Sequence, residues 1–200
     1  MPDGLVAAAA DGRILTAVEF SAARYTRVLF PRYAYRPGVN PHPTAGPRGH
    51  SYRSPGNIPT VVAPVAPEHW ERSSDYLFGC DLYNHGYWWE AHEAWEGLWQ
   101  LVQKTAAQGR FLKGLIQVSA CALKVAVVNR RGAQRLLERG SRHLDTAMDQ
   151  AADPRFMGLA LASFLEVVNA YYRLRLDEGA AVTHDPDAFP YIILRTEEAQ

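Results

Sequence analysis

Apolar positions recur at helical spacing from Glu68 onward, and the pattern predicts five helices. Trp70, Ser73, Tyr76, Leu77 and Cys80 mark the first, from about Glu68 to Tyr83. Asn84-His85-Gly86 ends it, because glycine supplies the left-handed backbone of a helix terminus. The run Tyr87 to Gln103 restarts at once as a second helix, antiparallel or sharply angled to the first. Gln108 to Val128 is a third, apolar round most of its circumference. The turn Asn129 to Gly132 leads into a fourth, which keeps Ala133, Leu137, Gly140, Leu144 and Ala147 on one stripe. Asp153-Pro154 predicts the start of a fifth, Arg155 to about Asp177, with the proline in its first turn where a missing N–H does no harm. Past Gly179, Tyr191 to Leu194 reads as a short extended segment lying on the bundle. The fold class is therefore all-α, a small bundle of about five helices.

Upstream the pattern is different. Nine of the 13 prolines fall between Pro31 and Pro67, where no regular helix survives. An extended arm over this stretch reaches far enough to wrap one side of the bundle, at roughly 3 Å per residue. Tyr33, Tyr35 and Tyr52 give it something to dock with, so an ordered wrap is expected, and residues before Thr16 are expected to fray. The chain divides into an arm over 1–67, a bundle over 68–178 and a tail over 179–200.

Composition narrows the classes. A length of 200 residues, 48% hydrophobic, closes one core. Twenty-one basic and 21 acidic residues cancel, which argues against a nucleic-acid or anionic-membrane partner held by a bulk basic field. Cys80 and Cys121 form no disulfide framework and read as buried small residues in a reduced, cytoplasmic setting. Met1 to Ala10 lacks a basic leader, and no segment approaches the ~20 apolar residues of a membrane span.

Chemistry concentrates on the second helix. On a wheel, Leu98, Ala91, Val102, Trp95, Trp88 and Trp99 form one apolar arc. Beside it stand His92 and Glu96, stacked one turn apart and candidates for burial. Trp89, Gln100 and Glu93 continue the polar side, and Glu90 lies further round among Ala94, Gly97 and Leu101. On the third helix Lys113, Gln117, Ala120 and Lys124 make a narrow stripe that faces either solvent or those carboxylates. In the second case a His92-Glu96-Gln117-Lys124 network forms, with Glu96 holding the His92 tautomer.

The string Tyr83 to Trp99, followed by Phe111-Leu112-Lys113-Gly114-Leu115-Ile116-Gln117, resembles the prokaryotic family called domain of unknown function 309. The resemblance covers roughly Tyr76 to Met148, with motif positions at Asn84, Gly86, Glu90, His92, Glu93, Glu96, Trp99, Gly114 and Gln117. Pro37 to Thr44 and Gly49 to Tyr52 look like the amino-terminal extension of its longer members. The resemblance implies a small all-helical bundle and brings no established activity. Lys124 stands where some relatives would carry a histidine-rich end of the third helix.

Three readings of the polar stripe stay open. In the first, a small-molecule-binding or hydrolytic protein, His92 carries protons, Glu96 orients it and Glu93 is a second carboxylate. Gln117, Trp89, Glu90 and Lys124 then assist in binding, and His42 and His50 of the arm close over the site. In the second, a structural or partner-binding module, the same residues lock helix against helix. The third places a divalent metal on His92 and Glu96, completed by His42, His50 or His85; the order His-Glu-x-x-Glu departs from the zincin helix at its last position, so no cofactor is expected. Ser119 and Cys121 read as packing residues. Arg131, Arg135, Arg139 and Arg142 read as a solvated face, and Trp89 or the arm as a candidate homodimer contact.

Overall fold

The computed structural model describes residue 22 and residues 24–52, 64–183, 185 and 188–195. The expectation for residues before Thr16 lies outside these, as do Pro55, Pro59 and Pro186.

Five α-helices carry the fold: α1 (Ser74–Asn84), α2 (Trp88–Leu101), α3 (Ala107–Ala126), α4 (Arg130–Gln150) and α5 (Leu161–Glu178). Local residues set several of their ends. Gly86 takes φ 82° and the Tyr87 N–H bonds back to the Leu82 carbonyl at 2.9 Å, which closes α1. The Asn129 side chain accepts the Gly132 N–H at 2.9 Å and caps α4. Gly179 ends α5 at φ 68°, and the Arg130 guanidinium gathers the Leu176 and Asp177 carbonyls there.

The core is continuous. Trp95, Tyr76, Tyr83, Phe111, Leu115 and Tyr172 are fully buried within it. Gly114 and Gly140 let α3 and α4 approach closely: a Cβ at Gly114 would stand 2.6 Å from the Leu144 side chain and 3.3 Å from the Gly140 carbonyl. Ser119 donates to the Trp88 carbonyl at 2.6 Å and pins α3 to the start of α2. Cys80 and Cys121 are free and buried, and burial pushes the Cys121 thiol up to about 12.

Two boundaries differ from the periodic reading. The first helix breaks at Ser73, leaving a 3₁₀ turn over Pro67–Arg72, in which His69 is non-helical. The break lets Trp70 stand edge-on to Tyr76, with ring centroids 6.3 Å apart, and cover Gly158. Pro154 does not open the fifth helix. A hairpin intervenes, β1 (Arg155–Phe156) against β2 (Leu159–Ala160). Its two turn residues, Met157 and Gly158, hold φ 49° and 79°, the geometry of a tight two-residue hairpin. Gly158 has no alternative, since a Cβ there would lie 2.5 Å from the Trp70 ring.

Segments from before and after the bundle meet on α1. Asp81, fully buried, accepts the Tyr25 N–H (2.7 Å), the Thr26 N–H (2.9 Å) and the Thr26 hydroxyl (2.7 Å). Asn84 exchanges two hydrogen bonds with the Ile192 backbone, at 2.8 and 2.9 Å. The expected extended segment of the tail is present, with Leu194 bridged to Leu159. Of the arm, residues 36–52 gather into successive turns: Asn40 accepts the Arg36 N–H at 2.9 Å, and Ser51 N–H reaches the Pro43 carbonyl at 3.0 Å.

Candidate functional site

The arm and α2 meet through one buried contact. Glu90 points off α2 beside Ala94, whose short side chain leaves room for a second chain. His50 fills that room, its Nε2 donating to Glu90 Oε1 at 2.7 Å; the two side chains are 3% and 4% exposed. The same oxygen accepts the Tyr35 N–H at 3.0 Å, while Glu90 Oε2 is buried without a partner among the described residues. His50 is held further by Ser51 Oγ at 2.8 Å and by the Tyr33 ring, 4.6 Å away. The Tyr33 hydroxyl donates to the Pro41 carbonyl at 2.9 Å, fixing the far side of the same loop.

Trp89, next along the helix, is half-buried among three arm rings. Tyr35, His42 and His50 stand edge-on to it, with centroids at 5.7, 5.8 and 6.3 Å. Trp89 is thus half-buried under the arm rather than exposed. His42 Nδ1 faces the Thr44 N–H and hydroxyl, each at 3.3 Å. In the neutral ring that places the remaining proton on Nε2.

Along the flank of α2 beyond Trp89 lie His92, Glu93 and Glu96. One ligand atom from each falls within 4.8 Å of the others, and His92 Nε2 stands 3.5 Å from Glu96 Oε2. The pair is 28% and 33% exposed, so the expected burial is only partial. Glu93 is more open, yet its partial desolvation raises the carboxyl above the usual carboxylate range; His92 and His42 draw it down, and Glu96 and Glu90 push it up.

The remaining candidates lie apart. Gln117 leaves α3 beside Gly140 of α4: its Cβ would be 3.4 Å from one added there, and its buried Oε1 has no hydrogen-bond partner among the described residues. Lys124 sits half-buried in the last turn of α3. Among the described residues no hydrogen bond or ion pair joins either to His92 or Glu96, so the anticipated four-residue network reduces to the α2 pair. Lys113 instead stacks its ammonium 4.1 Å over the Trp99 ring. His85 bonds the Asp81 carbonyl through Nδ1 at 2.8 Å and packs on Phe30. Arg131, Arg135, Arg139 and Arg142 are exposed, as a solvated face should be.

Sequence reasoning put the catalytic weight on His92 and Glu96 and did not find the Glu90–His50 contact or the anchoring roles of Asp81 and Asn84. A signal for the first was present: a carboxylate among alanine and glycine on a helix otherwise crowded with tryptophan. Asp81 and Asn84 gave none, since their partners are backbone groups remote in sequence.

No helix among the described residues is long and apolar enough to cross a membrane. No curated protein and no solved structure matches the chain. The family described as Domain of unknown function (DUF309) matches residues 76–136, a stretch that holds Asp81, Asn84, Glu90, His92, Glu93, Glu96 and Gln117 but neither arm histidine. Over that stretch the chain is similar to the domain of unknown function 309 family.

Proposed function

We propose that the chain binds a small polar molecule on the arm-covered flank of α2 and hydrolyses it. The observation that carries this reading is the Glu90–His50 contact, which commits a buried carboxylate to holding His42 and Trp89 against the flank that bears His92, Glu93 and Glu96. A packing device alone would not need two histidines and a tryptophan beside a row of half-open acid–base groups.

In the step this arrangement allows, neutral His92 takes a proton from a water as the water oxygen bonds to the substrate's electrophilic carbon or phosphorus. The bond to the leaving oxygen or nitrogen then breaks, and His92 returns the proton to it. Glu96, 3.5 Å away, stabilises the imidazolium formed in between. Glu93, its carboxyl raised, is the second acid–base group. Trp89 gives the ligand an aromatic wall.

A panel of esters, amides and phosphoesters tests this. We expect turnover of at least one class, falling by about 100-fold or more in His92→Gln with the fold intact. Equal turnover in the variant, or none of any class in the parent, removes the hydrolytic reading.

A second reading has its own observation: Asp81, Asn84 and Glu90 are all buried, and all bind the arm or the tail. On that view the family segment is a docking platform without chemistry. The two separate on stability. His92→Gln and Glu96→Gln leave a functional site equally or more stable, whereas a structural lock melts lower.

A further inference from the structure

We infer that His92, Glu93 and Glu96 bind a single divalent transition-metal ion, with Zn²⁺ the best match to the donor set and His42 orienting one of the carboxylates. The inference concerns the residues of the proposed function and rests on that placement; an ion on His92 takes the one lone pair of the neutral ring, so the ion replaces His92 as the group that activates water.

Three features lead to it. The first is spacing. Two ligands at about 2.1 Å from a tetrahedral ion stand about 3.4 Å apart, and His92 Nε2 to Glu96 Oε2 is 3.5 Å before any ion is considered. Glu93 closes the triangle, with the three ligand atoms no more than 4.8 Å apart, so small rotamer adjustments suffice. The second is donor chemistry. One imidazole nitrogen with two carboxylates suits Zn²⁺, Co²⁺ or Ni²⁺ better than Ca²⁺ or Mg²⁺, which prefer oxygen alone. The half-open setting leaves a fourth position to water, the pattern of three protein ligands plus solvent.

The third feature comes from another part of the chain and does not depend on the helix. The arm sets His42 5.8 Å from the Trp89 ring, within electrostatic reach of Glu93. With Nδ1 occupied by the Thr44 N–H, its Nε2 proton is available to donate to a carboxylate rather than to ligate. Ligating carboxylates are commonly held by such a donor, and an imidazole brought from fifty residues upstream distinguishes this group from a row of surface acids.

The test uses the full chain, purified without a histidine tag and stripped by chelator. Titration with ZnCl₂ by calorimetry is expected to show one saturable equivalent, and CoCl₂ to develop visible d–d absorption that Zn²⁺ displaces. His92→Gln and Glu96→Gln each weaken binding by at least about tenfold, and Glu138→Gln, on the exposed face of α4, leaves it unchanged. Should a variant fold poorly, the parent still decides: Zn²⁺ shifts the imidazole NMR signals of His92 and not those of His69. Absence of a saturable equivalent, undiminished binding in both variants, or an unmoved His92 signal overturns the inference. Repeating the substrate panel with and without Zn²⁺ separates the two claims. Stoichiometric ion without turnover keeps the metal site and removes the hydrolytic reading; His92-dependent turnover without ion binding does the reverse.

Discussion

Glu90 and His50 show how much one contact between remote side chains carries. Removing the carboxylate strands the His50 Nε2 donor and the Tyr35 N–H together in a dry site, so Glu90→Ala is expected to cost about 3 kcal/mol in urea denaturation. Glu90→Gln keeps an acceptor and costs about 1 kcal/mol. Both variants speed proteolytic cleavage within residues 36–52, Glu90→Ala the more, because that loop loses its anchor before the bundle does. A different single-residue effect sits on α4. Burial, then the Arg110 and Lys113 charges of α3 and that of Arg142 on its own helix, hold the His143 imidazole below its ordinary value of 6.5. The unfolded chain therefore takes up this proton at higher pH than the folded chain does, and stability falls as pH drops below about 6.5. His143→Gln removes that contribution. Its melting temperature should decline less than the parent's between about pH 7 and about pH 5.

At the scale of elements, two glycines one helix apart predict opposite signs. A Cβ at Gly79 of α1 would lie 2.2 Å from Trp95 Nε1, and Trp95 is fully buried with that nitrogen donating to the Tyr76 carbonyl at 3.3 Å. Since the indole cannot retreat, Gly79→Ala is expected to lose about 1–3 kcal/mol and to shift the tryptophan emission. Gly97 of α2 meets nothing within 4 Å, so Gly97→Ala is expected to gain about 0.5–1 kcal/mol from helix propensity alone. The same contrast explains what the sequence made legible. The courses of α2, α3 and α4 follow from apolar spacing, and the His92–Glu96 pair follows from i,i+4 geometry, because both are local properties of a helix. The break at Ser73 and the hairpin before α5 are tertiary. Trp70 and Gly158 impose them on each other across more than eighty residues, and propensity carries no record of that. Asp153-Pro154 resembles a helix start for a sound local reason, yet Asp153 accepts the Arg155 N–H at 2.6 Å to open a hairpin.

For the whole molecule, α1 is a post to which residues 25–26 and residue 192 are tied, and the ties are joined to each other. Asp81 holds Tyr25 and Thr26; Asn84, one turn on, holds Ile192. Between them the Tyr25 hydroxyl donates to the Ile192 carbonyl at 3.0 Å and accepts the Leu194 N–H at 2.8 Å. Neither segment can leave without loosening the other, so the fold should close as one unit rather than as a bundle with two loose attachments. A double-mutant cycle reads this directly. Asp81→Asn and Asn84→Ala are each expected to cost about 1–3 kcal/mol, as buried groups that lose charge or partner. Combined, they should cost less than the sum of the two by about 0.5 kcal/mol or more, since the second change releases a segment already half freed by the first. Adding Tyr25→Phe to both backgrounds should abolish that difference, because the phenol is the bridge through which the two anchors sense each other. Strict additivity with Tyr25 in place would mean that α1 holds two independent straps, and the arm could then be displaced from α2 without consequence for the tail.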